Sequence, residues 1–160
     1  MATPTYTLID STTLASSASS VFFTGISATG KGDLVLVIDC QGSNDTRVEG
    51  ILNSDTGTNY EYVNMQANGS AAESYKDNGM TYFHAGVIRS TSRSLNIVNI
   101  MDFAATKHTS ILSRENAPAY RLFVRAIRWA NTAAVTSLAV SCAAGTFNSG
   151  STFHLYQIVS

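Results

Sequence analysis

The chain has 160 residues, of which 44% are hydrophobic and 13% charged, with a net charge of −1. That length suits one domain burying roughly 70% of its unfolded surface, and charge well below the usual ~25% leaves the polar surface to Ser, Thr, Asn and Gly. There is no Lys/Arg run to make a nucleic-acid footprint, no apolar run near the ~20 residues of a membrane helix, and no basic or apolar leader region in MATPTYTLID, so neither nucleic acid nor membrane is an expected partner and no secretory signal is expected.

The first candidate strand is Thr5–Ile9. The low-complexity stretch STTLASSASS follows and reads as a loop or extended arm. Residues 1–20 are therefore expected to form a strand and arm, and 21–160 the sandwich domain. Val21–Thr24 precedes a turn through Gly30 and Gly32. Asp33–Cys40 is the strongest strand signal, an apolar run that predicts cover on both faces, in a sandwich core or at a subunit interface. Arg47–Leu52 and Tyr60–Gln66 read as a hairpin closed by Asn53–Asn59, with Asp55 capping the backbone and Gly57 supplying a positive φ. Along Tyr60–Gln66, Tyr60, Tyr62 and Asn64 share one face and Val63 and Met65 the other. The polar stretch Ala67–Met80 predicts a long exposed loop.

Further strands are predicted at Thr81–Ile88, Ser94–Met101, Thr109–Arg114, Tyr120–Trp129, Val135–Cys142 and Thr152–Val159. Ala117–Ala134 is Ala- and Arg-rich enough for a helix, but Phe123, Val124, Ile127 and Trp129 favour a strand. Pro4 and Pro118 lie outside every proposed strand, as an extended ladder requires. The pattern predicts an all-β fold, an antiparallel sandwich or barrel in a single domain.

Catalytic signals are weak. No GxSxG elbow occurs, and His84, His108 and His154 are scattered singly. The acids sit mostly at strand ends and turns, without an evident pair for glycoside chemistry. HxH, HExxH and CxxC are absent, and Asn53–Gly57 resembles a calcium-loop fragment lacking its terminal acid. Cys40 and Cys142 end apolar runs and read as buried free thiols. No enzyme activity, metal or other cofactor is expected. Arg121, Arg125 and Arg128, with Arg114 and Arg89, form the main basic concentration. On a strand, Arg121 and Arg125 share a face with Phe123, Ile127 and Trp129, while Arg128 points the other way. Such residues can stack on bases, but pairing with acids of a neighbouring strand or subunit, along aromatic faces, is expected here. Tyr60, Tyr62, Tyr75 and Tyr82 could offer sugar platforms if exposed; core or interface packing is the default.

Three stretches go beyond generic β sequence: Thr7–Ile26 (TLIDSTTLASSASSVFFTGI) continuing into Asp33–Asp39 (DLVLVID); Ile51–Ser70 (ILNSDTGTNYEYVNMQANGS); and Arg128–Ile158 (RWANTAAVTSLAVSCAAGTFNSGSTFHLYQI). Together, over nearly the whole chain, they resemble small virion proteins of tailed bacteriophages, especially phages of aquatic bacteria. The chain departs from that pattern at Gln157, where Gly is usual, and at Lys31-Gly32-Asp33, where an aromatic often precedes the Asp. The first departure bears on the last turn, or on whatever that strand pairs with.

The resemblance implies a jelly-roll-like sandwich, a homotrimer, and a place on the virion after assembly in the bacterial host cytoplasm. It implies a capsid decoration (cement) protein on the capsid exterior, bound to the major capsid protein. The alternative is a tail-fibre, collar or tip protein that binds a host-surface glycan or another tail protein. On that reading Tyr6, Leu8, Ile9 and Leu14 of the arm contact the capsid by adding a strand to an exposed edge. Leu34, Leu36 and Ile38, with Arg121 and Arg125, are expected at the trimer interface.

Overall fold

The computed structural model describes residues 5–27, 32–117 and 121–158. Pro4, Gly30, Lys31, Pro118, Tyr120 and Val159, which figure in the sequence reading, lie outside them. Period-two alternation of apolar and polar residues carries most of the described chain into strands, because such a pattern gives each strand one buriable face. Among the described residues there are twelve: β1 (Tyr6–Thr13), β2 (Ser20–Phe23), β3 (Leu34–Cys40), β4 (Thr46–Leu52), β5 (Tyr60–Ala67), β6 (Ala72–Met80), β7 (Phe83–Ile88), β8 (Ser94–Ile100), β9 (Thr109–Ala117), β10 (Arg121–Trp129), β11 (Leu138–Cys142) and β12 (Thr152–Ile158). They form an eight-stranded sheet, β1-β12-β3-β8-β9-β10-β5-β6, and a four-stranded sheet, β2-β11-β4-β7. Every pairing is antiparallel. The fold is an all-β, jelly-roll-like sandwich, as expected.

The core lies between the sheets. Leu34, Leu36 and Ile38 of β3, Val98 and Ile100 of β8, and Phe153 and Leu155 of β12 join Val48, Leu52, Phe83, Leu138 and Val140 of the small sheet in one buried cluster. The expectation that Leu34, Leu36 and Ile38 form a trimer interface is therefore corrected. These side chains have no exposed surface within the single chain, because the facing sheet already covers them. Packing is tight: a Cβ on Gly50 of β4 would lie 2.2 Å from Cζ of Phe83, whose ring takes that space. Cys40 is buried and Cys142 half-buried, both as free thiols, and burial pushes each up to about 12.

Three other expectations change. β4 and β5 are not a hairpin: β4 pairs with β7 and β11, and β5 with β6 and β10. Asn53–Asn59 instead crosses from one sheet to the other. Asn53 takes a left-handed φ of 50°, tolerable for Asn. Its Oδ1 accepts from the Thr136 and Ser137 amides at 2.8 and 3.1 Å. Ala67–Met80 is not a loop, since Ala72–Met80 is the edge strand β6. It escapes detection because both its faces meet solvent, so it carries no apolar alternation. Its Glu73, Lys76 and Asp77 suit an open edge, which charge protects from further pairing.

The third change concerns the arm. β1 folds back on its own chain, antiparallel to β12 from Tyr6–Ile158 to Thr13–Thr152. Leu14 then donates its amide to Ser151 O at 3.0 Å. Of the four expected capsid contacts, Ile9 and Leu14 pack against the core, and Tyr6 and Leu8 are exposed. The expected arm is thus a strand of the sandwich itself, with one edge still open.

Candidate functional site

The inner face of the large sheet changes character along its width. At β12 and β3 it is mostly apolar. From β8 onward it buries polar groups: Ser94 and Asn96 on β8, Ser113 and Glu115 on β9, Arg125 on β10 and Asn64 on β5. The ladder sets Ser113 opposite Arg125, and Arg125 opposite Asn64. Buried polar groups are costly unless paired, so their clustering in one half of the interior marks that half for something beyond packing.

At its centre Arg125 Nη1 pairs with Glu115 Oε1, both side chains buried. Ser113 Oγ also donates to that oxygen, at 2.9 Å. The Arg125 guanidinium lies 4.5 Å from the centroid of the Phe123 ring. Burial pushes the Glu115 carboxyl up, while Arg125 and the bond from Ser113 act against that rise. Arg125 Nε, Glu115 Oε2, His84 Nδ1 and both amide atoms of Asn64 make no hydrogen bond with the described residues.

The opposite wall comes from the small sheet. Asn96 of β8 holds β7 in place: its Nδ2 donates to Val87 O at 3.1 Å, and its Oδ1 accepts from Val87 N at 3.0 Å. Gly86 must be glycine for this strut, since a Cβ there would sit 2.5 Å from Asn96 Cγ. Between the walls opens a cleft of about 280 Å³, lined by Arg47, His84 and Arg89 on one side and Tyr75, Arg121 and Phe123 on the other, with Glu115 and Arg125 at its floor. Arg121 donates to Gln66 Oε1 at 3.3 Å. Arg89 pairs with Asp45 at 2.6 Å at the rim.

Aromatic rings continue the wall. His84 sits edge-on to Tyr62 and Tyr82, at 5.0 and 5.7 Å between centroids, and Arg47 lies 4.9 Å from the Tyr82 ring. His84 is pushed down to about 3, first by burial, then by the Arg125 and Arg47 guanidiniums. An unfolded imidazole titrates near 6.5, so the unfolded chain binds more protons between these values. His84 therefore contributes full stability above about pH 6.5 and loses it as pH falls toward about 3, at about 1.4 kcal/mol per pH unit. Replacing it with Phe is expected to remove this slope. Between pH 6.5 and 5 the unfolding free energy of the parent should fall by about 2 kcal/mol more than that of His84→Phe, read from urea titrations.

The sequence correctly placed Arg121 and Arg125 on the face of Phe123, Ile127 and Trp129, and Arg128 opposite. It also anticipated that a guanidinium pairs with an acid on the next strand along an aromatic face. Arg125, however, is buried and cannot lie at a trimer interface, while Arg121 is half-buried at the cleft. Tyr60 and Tyr62 are buried, so of the four tyrosines only Tyr75 and Tyr82 keep surface at the cleft side. The roles of Glu115 and His84 were missed. The available signal was an arginine on the same strand face as core residues, which calls for a buried acid on a neighbouring strand.

Asp55 does not behave as a calcium ligand. Its Oδ2 accepts from Trp129 Nε1 at 2.7 Å and Asn131 Nδ2 at 3.2 Å, and its Oδ1 from Gly57 N at 3.0 Å. Burial pushes this carboxyl up, but hydrogen bonds from Asn59, Trp129, Asn131 and Gly57 outweigh it and hold it below the usual range. No group of metal-ligating side chains occurs among the described residues, and they contain no helix long and apolar enough to cross a membrane.

A second feature lies on the outer face of the large sheet. Val63 and Met65 of β5 are 52% and 65% exposed, and Leu122 and Val124 of β10 are 53% and 36% exposed. The register sets Met65 opposite Val124, Val63 opposite Ala126 and Ala67 opposite Leu122, so they form one continuous apolar strip. It runs into a shallow groove lined by Met101, Leu112 and Ala126, with Lys76 and the 2.8 Å Arg128–Glu61 pair at the rim.

No protein-family model matches the chain, and no curated protein matches it. Among solved structures it is similar to the exo-inulinase of Aspergillus awamori, with TM-score 0.49 and 14% identity over 96% of this chain, which spans 29% of that one. It is also similar to the Caenorhabditis elegans galectin LEC-6, with TM-score 0.41 and 11% identity, covering 91% of this chain and 94% of that one. At these identities the likeness concerns the fold alone.

Proposed function

We propose that the chain is a non-enzymatic structural protein of a tailed-bacteriophage virion, a homotrimeric capsid decoration (cement) protein. It binds the major capsid protein on the outer capsid surface and stabilises capsomers. The observation that carries this reading is the outer apolar strip of Val63, Met65, Leu122 and Val124. Contiguous exposed apolar surface marks a contact between proteins, and the sequence resemblance supplies the setting. A cement protein works by burying area at several symmetric contacts at once, where linked contacts multiply weak ones into firm attachment.

Two measurements test it. In purified particles, the copy number against the major capsid protein is expected near parity, within a factor of about three. Met65→Glu combined with Leu122→Glu changes exposed side chains and should leave folding nearly intact, yet lower particle occupancy about tenfold or more, because a charge in an apolar contact is costly. Unchanged occupancy would refute the role of the strip, and absence of the protein from particles would refute the virion reading.

A second reading, a fibre or tip protein that binds a glycan, draws its support from the cleft between the sheets. It predicts a copy number roughly a hundredfold below that of the capsid protein.

A further inference from the structure

We propose that the cleft between the sheets is a binding site for a small organic anion, a carboxylate on a body about the size of one sugar ring, held by Arg89, Arg121 and Arg125. The inference is independent of where the protein sits in a particle. Its first basis is charge. Four arginines line the cleft (Arg47, Arg89, Arg121, Arg125) against Asp45 and Glu115, and Glu49 just outside it pairs with Arg47 at 2.7 Å, so with His84 neutral the excess is 4 − 3 = +1. A concave, partly desolvated site with excess positive charge attracts anions far more strongly than an open surface does.

The second basis is the buried pair itself. Arg125 and Glu115 are both more than nine-tenths buried, yet Arg125 Nε makes no hydrogen bond with the described residues. Guanidinium forks match the two oxygens of a carboxylate. The Arg125 guanidinium lies over the Phe123 ring, 4.5 Å from its centroid, and Ser113 shares the Glu115 oxygen that binds it, so the cation is held before any ligand arrives. Such preorganisation lowers the cost of binding.

The third basis is size and lining. About 280 Å³ is near the lower end of small-molecule sites and fits one ring. Tyr75, Val87, Ile88 and Phe123 give apolar wall, and Gln66 gives an amide. A bare inorganic anion would leave that wall uncovered, whereas a ring bearing a carboxylate covers it.

The test is an amide chemical-shift titration of the whole chain with D-glucuronate, with D-glucose and inorganic phosphate as comparisons. Glucuronate is expected to give saturable shifts centred on Tyr75, Val87, Arg121 and Phe123 at millimolar concentrations. Glucose should give none, and phosphate should bind at least about fivefold more weakly. Arg121→Gln and Arg89→Gln, both outside the buried pair, should each weaken glucuronate about five- to tenfold while preserving the dispersion of the spectrum. No shift at about 10 mM glucuronate, or equal shifts with glucose, or binding indifferent to both substitutions would overturn the site. Phosphate binding as tightly as glucuronate at the same amides would overturn the ring and leave a simple anion cradle.

Discussion

Trp129→Ala is expected to destabilise the fold by about 4 kcal/mol, enough to consume much of the margin of a domain this size. Trp129 is fully buried and stacks on Tyr60, with 6.4 Å between centroids and 16° between planes. Its indole also donates to Asp55 at 2.7 Å. The Tyr60 hydroxyl in turn accepts a hydrogen bond from the Leu52 amide at 2.9 Å, at the start of the crossing. One side chain thus ties the end of β10 to the segment that carries the chain between sheets. Trp129→Phe keeps a ring but loses the N–H, and is expected to cost about 1 kcal/mol, since the half-buried Asp55 carboxylate keeps its bonds from Gly57, Asn59 and Asn131. Urea unfolding followed by circular dichroism separates the two. Equal losses would mean that the hydrogen bond, not the ring, supplies the stability.

Arg125→Met should cost about 3–5 kcal/mol at pH 7, because it leaves Glu115 buried without its cation. The double variant Glu115→Leu, Arg125→Met should regain most of that loss, since an apolar pair of similar volume needs no hydration. The sign of the pH dependence of the single variant is fixed. Without Arg125, burial, the largest influence on Glu115, is opposed only by the bond from Ser113 and raises its folded pKa above the unfolded value of about 4.3. A carboxyl with a raised folded pKa favours folding only while protonated. Measured against the parent at each pH, so that the slope due to His84 largely cancels, the deficit of the single variant should therefore be smaller at pH 5 than at pH 7, and that of the double variant should change much less. A double variant no more stable than Arg125→Met would show that the interior around the pair cannot repack.

How much of this was legible in the sequence depends on which physical signal each element carries. β3 and β10 declare themselves through apolar or aromatic residues at strand spacing. β6 declares nothing, because a strand with both faces in water has no reason to alternate. In the turn Asn53–Asn59 the cap by Asp55 was read correctly, since its Oδ1 accepts from Gly57 N, but the positive φ expected at Gly57 falls on Asn53 and Ser54 instead. The destination of the turn was not legible, because whether a turn returns to the same sheet is decided by distant partners, here Trp129, Asn131 and Thr136. The faces of β5 were also read correctly, but not which one is inside. Apolar Val63 and Met65 face outward while Tyr62 and Asn64 face inward, the reverse of hydrophobic sorting. That inversion coincides with both the polar cleft and the outer strip, so the candidate site occupies the place where the usual rule fails.

The pairing of β1 with β12 has a mechanical consequence. Tyr6 and Ile158 lie opposite each other at one end of the ladder, and Thr13 and Thr152 at the other. Tension drawn through both ends of this segment pulls the strands apart from the Tyr6–Ile158 end, so hydrogen bonds open one pair after another instead of sharing the load in shear. The sandwich is soft to pulling along that seam. Load that enters through the faces of the sheets meets the packed core instead, so the molecule resists compression and lateral force much better than traction on its own ends.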